Sequence, residues 1–235
     1  ILRCLVGSEM CIRDRYTTRW VATGTLALFG ALIFSTSASA QHLAQHASVL
    51  PLEVSLQRIE GQSRRHFSER CSAFFVGFDD REAILLSAWH CIDGQLSSLR
   101  QPTVSVLGNT VEVIIIESGK AMDRDWLVMR APRAAFTSLT PIRVSKRPVA
   151  SGESLIAIGW GRGTDWTDIE ASALDCPVIS AGSALTLRCG LTKGDSGGVV
   201  ARRLEDGQLE AVGIISSGDS ISLSFAFPSW RLPNI

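Results

Sequence analysis

Three short segments carry side chains that could do acid–base and nucleophilic chemistry. The first is LSAWHC at residues 86–91, in which His90 ends an apolar run and precedes Cys91. A histidine at the end of a strand has a fixed backbone, which a general base needs because proton transfer demands a reach of about 3 Å. Taken alone, this segment fits a buried structural histidine equally well.

The second segment is DWLVM at residues 125–129, in which Asp125 is followed directly by four apolar residues. A carboxylate at the mouth of a buried strand needs a partner, and an imidazole N–H is a good one. Aspartates are also common in turns before strands, so this signal is weak by itself. Asp93 and Asp123 compete with Asp125 for the same role.

The third segment is GDSGG at residues 194–198. Its glycines allow a sharp turn that exposes the hydroxyl group of Ser196. They also let backbone N–H groups point at one spot, as an oxyanion hole requires. A simple Gly/Ser-rich turn is the alternative interpretation of this pentapeptide.

The order of the three segments discriminates between known arrangements of Ser, His and Asp. GDSGG also fits the G-x-S-x-G pattern of α/β-hydrolases, but that fold needs its histidine after the nucleophile. Here every histidine precedes Ser196, namely His42, His46, His66 and His90. The alternation of strands and helices that a subtilisin-like order would need is missing, although Asp79 and Asp80 precede His90. The order His90, Asp125, Ser196 is that of the chymotrypsin family.

The elements that must position these residues read as many short strands. Val-, Ile-, Leu- and Phe-rich runs bounded by Gly, Asp, Ser or Pro predict strands at 72–78, 83–87, 103–107, 110–117, 126–130, 154–159, 174–179, 185–189, 198–202, 209–217 and 222–227. No sustained 3.6-residue apolar period occurs after residue 40. The pattern favours an all-β sandwich or a pair of barrels, with a boundary in the proline-containing segment 131–149.

Composition excludes several other classes of protein. The 235 residues include 46% hydrophobic and 20% charged residues, which is typical of a globular chain and not of a disordered one. Lys+Arg and Asp+Glu are both 23, so the basic excess of a nucleic-acid-binding protein is absent. No apolar run long enough to span a bilayer follows the N-terminal region, which excludes a polytopic membrane protein.

The N-terminal region predicts export. A short apolar stretch at 21–34 follows Arg13, Arg15 and Arg19 and precedes an A-x-A site at 38–40, which together indicate a signal peptide over 16–40 cleaved after Ala40. An uncleaved membrane anchor is the alternative. Residues 1–15 fit neither scheme and are interpreted as a non-native extension, with a cytoplasmic tail as the alternative. The mature chain is then 41–235.

Four cysteines remain in that mature chain: Cys71, Cys91, Cys176 and Cys189. An even number in an exported protein predicts two disulfides, with three possible connectivities. A zinc site is disfavoured, because no C-x-x-C pair or histidine cluster accompanies them. We expect no metal and no cofactor.

The chain resembles the trypsin/chymotrypsin-type serine endopeptidases in a compact bacterial form. Five segments carry the likeness in the right order: LSAWHC, DWLVMR, AIGWG at 157–161, CGLTKGDSGG at 189–198 and VGIISSG at 212–218. The resemblance implies two packed six-stranded antiparallel Greek-key barrels, at about 41–135 and 145–235, with the active site in the cleft between them. It also implies a secreted or periplasmic enzyme that acts on proteins or peptides, is a monomer, and associates with neither nucleic acid nor, after cleavage, a membrane.

The resemblance also implies individual roles. Ser196 would be the nucleophile, His90 the base, Asp125 its orienting carboxylate, and the N–H groups of Gly194 and Ser196 the oxyanion hole. The substrate pocket would be formed by Gly190, Lys193, Ser216, Ser217 and Gly218. The disulfides would be Cys71–Cys91 and Cys176–Cys189.

Two departures from the family concern specificity and activation. Trypsins carry an aspartate six residues before the nucleophile, where this chain has Gly190, so a preference for Arg or Lys is not expected. Lys193 could attract acidic groups or simply be solvated. For Asp195 the resemblance leaves three partners open: a freed N-terminal amine, an arginine, or local hydrogen-bond donors. A non-catalytic binding module that kept the fold is the alternative function.

Overall fold

The computed structural model describes residues 45–60, 62–97, 100–161 and 171–234. The proposed extension and signal peptide lie outside these residues. The described part contains fifteen β-strands and three 3₁₀ helices at Trp89–Ile92, Arg133–Phe136 and Ser229–Arg231, and residues 45–46 are also helical. The predicted all-β class is therefore confirmed.

The first sheet is built from eight strands. They are β1 Val49–Glu60, β2 Ser63–Phe78, β3 Glu82–Ser87, β4 Gln95–Leu96, β5 Thr103–Val106, β6 Asn109–Glu112, β7 Ile114–Ser118 and β8 Leu127–Pro132. Their order is β6-β5-β1-β2-β3-β8-β7, with β4 paired to β1. Among the described residues this sheet has eight strands and forms a half-barrel where a closed six-stranded barrel is expected, and the arrangement of two sheets still matches the chymotrypsin-like fold.

The second sheet is built from the remaining seven strands. They are β9 Arg143–Val144, β10 Ser154–Gly159, β11 Ser172–Ala181, β12 Leu185–Leu187, β13 Val199–Arg203, β14 Leu209–Gly218 and β15 Ser224–Pro228. Strands β13-β10-β11-β12-β15-β14 form a ring, because β14 also pairs with β13, and β9 adds in parallel to β14. This is the six-stranded barrel that the resemblance implies.

Several local features differ from the strand prediction, including the unpredicted short strands β4 and β9 and the part of β2 before residue 72. Strand β1 was not predicted, although it pairs with β2 along its whole length. The single strand predicted at 110–117 is two strands separated by Val113, whose N–H donates to the Pro102 carbonyl at 2.9 Å. At that residue the chain leaves β5, the partner of β6, and joins β8, the partner of β7.

A common apolar core and cross-sheet hydrogen bonds hold the two sheets together. Phe74 and Leu85 from the first sheet and Ile158 and Ile214 from the second are fully or almost fully buried in one cluster. The indole N–H of Trp160 donates to the Val49 carbonyl at 2.8 Å. Burying apolar side chains is the main stabilising term of folding, so this shared core stabilises the junction between the two sheets.

Both predicted disulfides are present, Cys71–Cys91 and Cys176–Cys189. The first joins β2 to the helix that carries His90, and the second joins β11 to the segment after β12. Among the described residues, no helix has the length and apolarity to cross a membrane.

Candidate active site

His90 is presented by the short 3₁₀ helix that follows β3. The strand before it is buried in the core, and the next residue, Cys91, is held to β2 by its disulfide. The backbone of His90 is therefore fixed on both sides. Its side chain is 25% exposed, so one edge of the ring faces solvent while the other edge lies against the protein.

Asp125 occupies the protein side of that ring. Its Oδ2 lies 2.7 Å from His90 Nδ1, and its Oδ1 accepts the backbone N–H of His90 at 2.9 Å. Asp125 is fully buried, whereas the competing Asp93 and Asp123 are exposed. A buried carboxylate with two bonds to one histidine fixes both the orientation and the tautomer of the imidazole.

Ser216 connects Asp125 to the nucleophile segment. Its hydroxyl donates to Asp125 Oδ2 at 2.5 Å, and its backbone carbonyl accepts the hydroxyl of Ser196 at 3.5 Å. The Ser196 carbonyl in turn accepts the N–H of Ser72 at 2.7 Å. The structure thus places His90 against Asp125 and links Ser196 to Asp125 through Ser216.

The turn around Ser196 depends on close backbone packing. Gly197 has a φ of 81°, and a Cβ atom there would collide with the Ser72 carbonyl oxygen and the Ser87 hydroxyl. Ser87 belongs to the segment that ends at His90, and its hydroxyl donates to the Ser72 carbonyl at 2.7 Å. Glycine at 197 is required because the two segments meet at this point.

Asp195 is the second buried carboxylate of the site, with 1% exposure. Its Oδ1 accepts the N–H of Gly161 at 2.8 Å, and its Oδ2 accepts the N–H and hydroxyl of Thr192 at 2.7 and 3.2 Å. Of the partners left open for Asp195, the structure shows local donors. They tie the nucleophile loop to the end of β10.

Gly194 is buried and has a φ of 100°. Its carbonyl accepts the Ser72 hydroxyl at 2.8 Å, and the oxygen of that hydroxyl accepts the N–H of Trp160 at 2.9 Å. The sequence motifs did not indicate a role for Ser72 in the site. A lone serine directly after Cys71, at the head of an apolar run, is the signal that could have identified it.

The remaining predicted pocket residues differ in their exposure to solvent. Ser217 and Gly218 are exposed at the end of β14, and Gly190 is half-buried. Lys193 is exposed, but its Nζ lies 3.1 Å from Glu69 Oε1 on β2. The predicted attraction of acidic groups by Lys193 is therefore weakened by a carboxylate already in place.

One group of metal-ligand types occurs in the part of the chain described here, namely Cys71, His90 and Cys91. Both sulfur atoms are consumed by a disulfide, so the thiolates that a metal would need are absent from this group.

Comparison with known proteins identifies the family of this chain. The family model described as Trypsin matches residues 40–227. The chain belongs to the trypsin family. Membership in the trypsin family makes it a serine endopeptidase, a hydrolase that takes proteins or peptides as substrates.

Several solved protease structures are similar to the structure of this chain. The active form of the Rv3671c protease from M. tuberculosis has a TM-score of 0.59 at 15% identity, covering 94% of this chain and 90% of that one. The thermostable serine protease AL20 from an extremophilic microorganism has a TM-score of 0.59 at 15% identity, covering 79% and 93%. At this identity the likeness shows the shared fold. No curated protein matches the chain.

Proposed function

We propose that this trypsin-family protein is an exported endopeptidase that cleaves peptide bonds with a triad of Ser196, His90 and Asp125 through an acyl-enzyme intermediate. The observation that carries the proposal is the set of bonds at Asp125. This buried carboxylate bonds His90 at two points and bonds Ser216, whose carbonyl accepts the Ser196 hydroxyl.

The bond between Asp125 and His90 supports one arrangement of protons in the proposed resting site. Asp125 accepts a hydrogen bond from Nδ1–H, so the lone pair of the neutral ring is on Nε2. Ser196 Oγ attacks the substrate carbonyl carbon while its proton passes to Nε2. His90 then gives that proton to the leaving amine as the C–N bond breaks. Water repeats the sequence on the acyl-enzyme and releases the acid and Ser196.

The developing oxyanion would be bound by the backbone N–H groups of Gly194 and Ser196. Support comes from the rigid loop, because Ser72 holds the carbonyls of both residues, one by its hydroxyl and one by its N–H. Donors that are already oriented cost no reorganisation as negative charge develops, and each contributes roughly 10²–10³ in rate.

Substrate selection is proposed to be unlike that of trypsin. Gly190 has no side chain, so the carboxylate with which trypsins pair a substrate Arg or Lys is missing at this position. Lys193 is paired with Glu69 and is 83% exposed, which makes its contribution to selectivity small. Neutral side chains are the expected substrates at this subsite.

Export is proposed from residues 16–40 acting as a signal peptide, and a secreted or periplasmic protein is consistent with two disulfides. We also propose that the mature protein is a monomer that associates with neither nucleic acid nor a membrane. The N-terminus of the exported protein, read by mass spectrometry, is expected at Gln41. An N-terminus within the apolar stretch, or retention in the membrane, would contradict this part.

Pre-steady-state hydrolysis of an activated peptide ester tests the catalytic proposal. The mature protein should give a stoichiometric burst of leaving group followed by slower turnover, because the acyl-enzyme accumulates. The variant Ser196→Ala should lose the burst, while Ser183→Ala, in an exposed loop, should keep it. Peptide binding without any burst would favour the alternative, a non-catalytic module of the same fold.

A further inference from the structure

The turn between β14 and β15 has an unusually complete set of hydrogen bonds. Asp219 Oδ1 accepts the N–H groups of Ile221, Ser222 and Leu223 at 2.8, 2.7 and 2.8 Å. Its Oδ2 accepts the Ser222 hydroxyl at 3.1 Å. The N–H groups of Leu223, Ser222 and Ile221 hold the pKa of Asp219 well below its usual range, so the carboxylate stays charged and the turn stays fixed.

This turn packs directly against the backbone that precedes the nucleophile. A methyl group added to Gly190 would lie 2.6 Å from the Ile221 carbonyl oxygen, and one added to Gly218 would lie 2.9 Å from the Leu223 carbonyl oxygen. Both distances are far inside van der Waals contact. The backbone of residues 221–223 therefore lies against Gly190 on one side and Gly218 on the other.

Ser224, directly after the turn, is hydrogen-bonded to the residues on both sides of Gly190. It is fully buried, its hydroxyl donates to the Cys189 carbonyl at 2.7 Å, and its oxygen accepts the Leu191 N–H at 3.1 Å. Cys189 is also held to Cys176 by a disulfide. These bonds anchor the end of the turn to the segment that contains Gly190.

We infer that the turn of residues 219–223, held by Asp219 and resting on Gly190, closes the floor of the substrate pocket so that the enzyme cleaves after small side chains such as alanine and excludes leucine and phenylalanine. This inference rests on the proposed function and on the predicted pocket of Gly190, Lys193, Ser216, Ser217 and Gly218. Rigid packing rejects extra methylene groups, and each commonly changes selectivity by about tenfold or more.

The matched test compares Asp219→Ala with Asp206→Ala. Asp206 has a similar role in the turn between β13 and β14, where it accepts the Gln208 N–H at 2.9 Å, but that turn is at the opposite end of β14 from Ser216. Peptides that differ only in alanine, leucine or phenylalanine before the scissile bond are compared by kcat/KM. Labelling of Ser196 by a fluorophosphonate is measured alongside.

The wild-type protein should be labelled and should prefer alanine over phenylalanine by about 100-fold. Asp219→Ala should narrow that ratio by about tenfold, and Asp206→Ala should leave it unchanged. Labelled wild-type protein that cleaves after phenylalanine or leucine as readily as after alanine would overturn the inference and leave the proposed function standing. An unchanged ratio in Asp219→Ala would overturn the role of the turn. Absence of labelling in the wild type would overturn both proposals.

Discussion

Asp125 and Asp195 are both buried carboxylates within the active site, but they differ in what they bond. Asp125 contacts an imidazole that can gain and lose a proton. Asp195 accepts bonds from Gly161 and Thr192, whose donors keep their protons. In the proposed mechanism the electrostatic role of Asp125 therefore changes during the reaction, whereas Asp195 has a constant role in holding the loop.

Substitutions at the two carboxylates should therefore lower activity in different ways. A change of Asp125 to Asn should damage catalysis while leaving the fold nearly intact, because the amide oxygen can still accept the backbone N–H of His90. A change at Asp195 should damage stability and catalysis together, since buried N–H groups would lose their acceptor.

The largest effect is expected for Asp125→Asn. Its amide can keep the contact with Ser216, but it favours the wrong tautomer of His90, so kcat should fall on the order of 10⁴-fold, as for the corresponding change in chymotrypsin-type enzymes. Thermal unfolding should change little. Ester hydrolysis and a melting curve on the same preparation check both parts. A kcat within tenfold of the wild type would break the distinction between the two carboxylates.

Asp195→Asn is expected to affect both quantities. One oxygen becomes an NH₂ group that faces the Gly161 or Thr192 donors, which should cost about 2–3 kcal/mol in the free energy of unfolding and lower kcat by distorting the nucleophile loop. Denaturant unfolding and ester hydrolysis measure the two losses. Wild-type stability with lost activity would assign Asp195 a purely chemical role and contradict this account.

A smaller loss is expected for Thr192→Val. The variant removes the hydroxyl bond to Asp195 but keeps the backbone N–H bond, so the free energy of unfolding should fall by about 1 kcal/mol. Thr192→Ser keeps the hydroxyl and is the matched control. Equal losses in the two variants, measured by denaturant unfolding, would show that the hydroxyl bond is not the cause.

Glu153 extends the comparison to a carboxylate outside the site, with Arg202 as its permanent cation at 2.5 Å. The hydrogen bond from Arg202 lowers the pKa of Glu153. Its stabilisation should therefore be present above the unfolded pKa of about 4.3 and lost as the pH falls through the lower folded pKa. Glu153→Gln should cost about 1 kcal/mol or less at neutral pH.

Unfolding of Glu153→Gln measured against pH checks that sign. The difference from the wild type should shrink as the pH falls below about 4. A difference that grows toward acid pH would mean that the charged form of Glu153 is not the stabilising one.

The motifs could be found from sequence because the chemistry is concentrated in short contiguous segments. Glycines around Ser196, the apolar run before His90 and the apolar run after Asp125 are local patterns, and their order identified the family. The structure separates Asp125 from Asp93 and Asp123 by burial, which no local pattern encodes.

The supporting contacts could not be predicted in the same way. Ser72 reaches Gly194 across 122 positions, and Ser216 reaches Asp125 across 91. Each is an ordinary serine in its own segment, and its role arises from the packing of two sheets. Strand β1 was missed although Leu50, Leu52, Val54 and Leu56 alternate with other residues in the two-residue period of a strand. Only Pro51 weakens that signal, and pairing with β2 accommodates it.

In the proposed mechanism His90, oriented by Asp125, activates Ser196 in the folded protein. Incubation of the mature chain with a fluorophosphonate, followed by peptide mass mapping, tests it most directly. We expect stoichiometric modification of Ser196 in the folded protein and none in the denatured chain. In Asp125→Asn the modification should be much slower. A folded protein whose Ser196 stays unmodified, or is modified equally fast in Asp125→Asn, would contradict it.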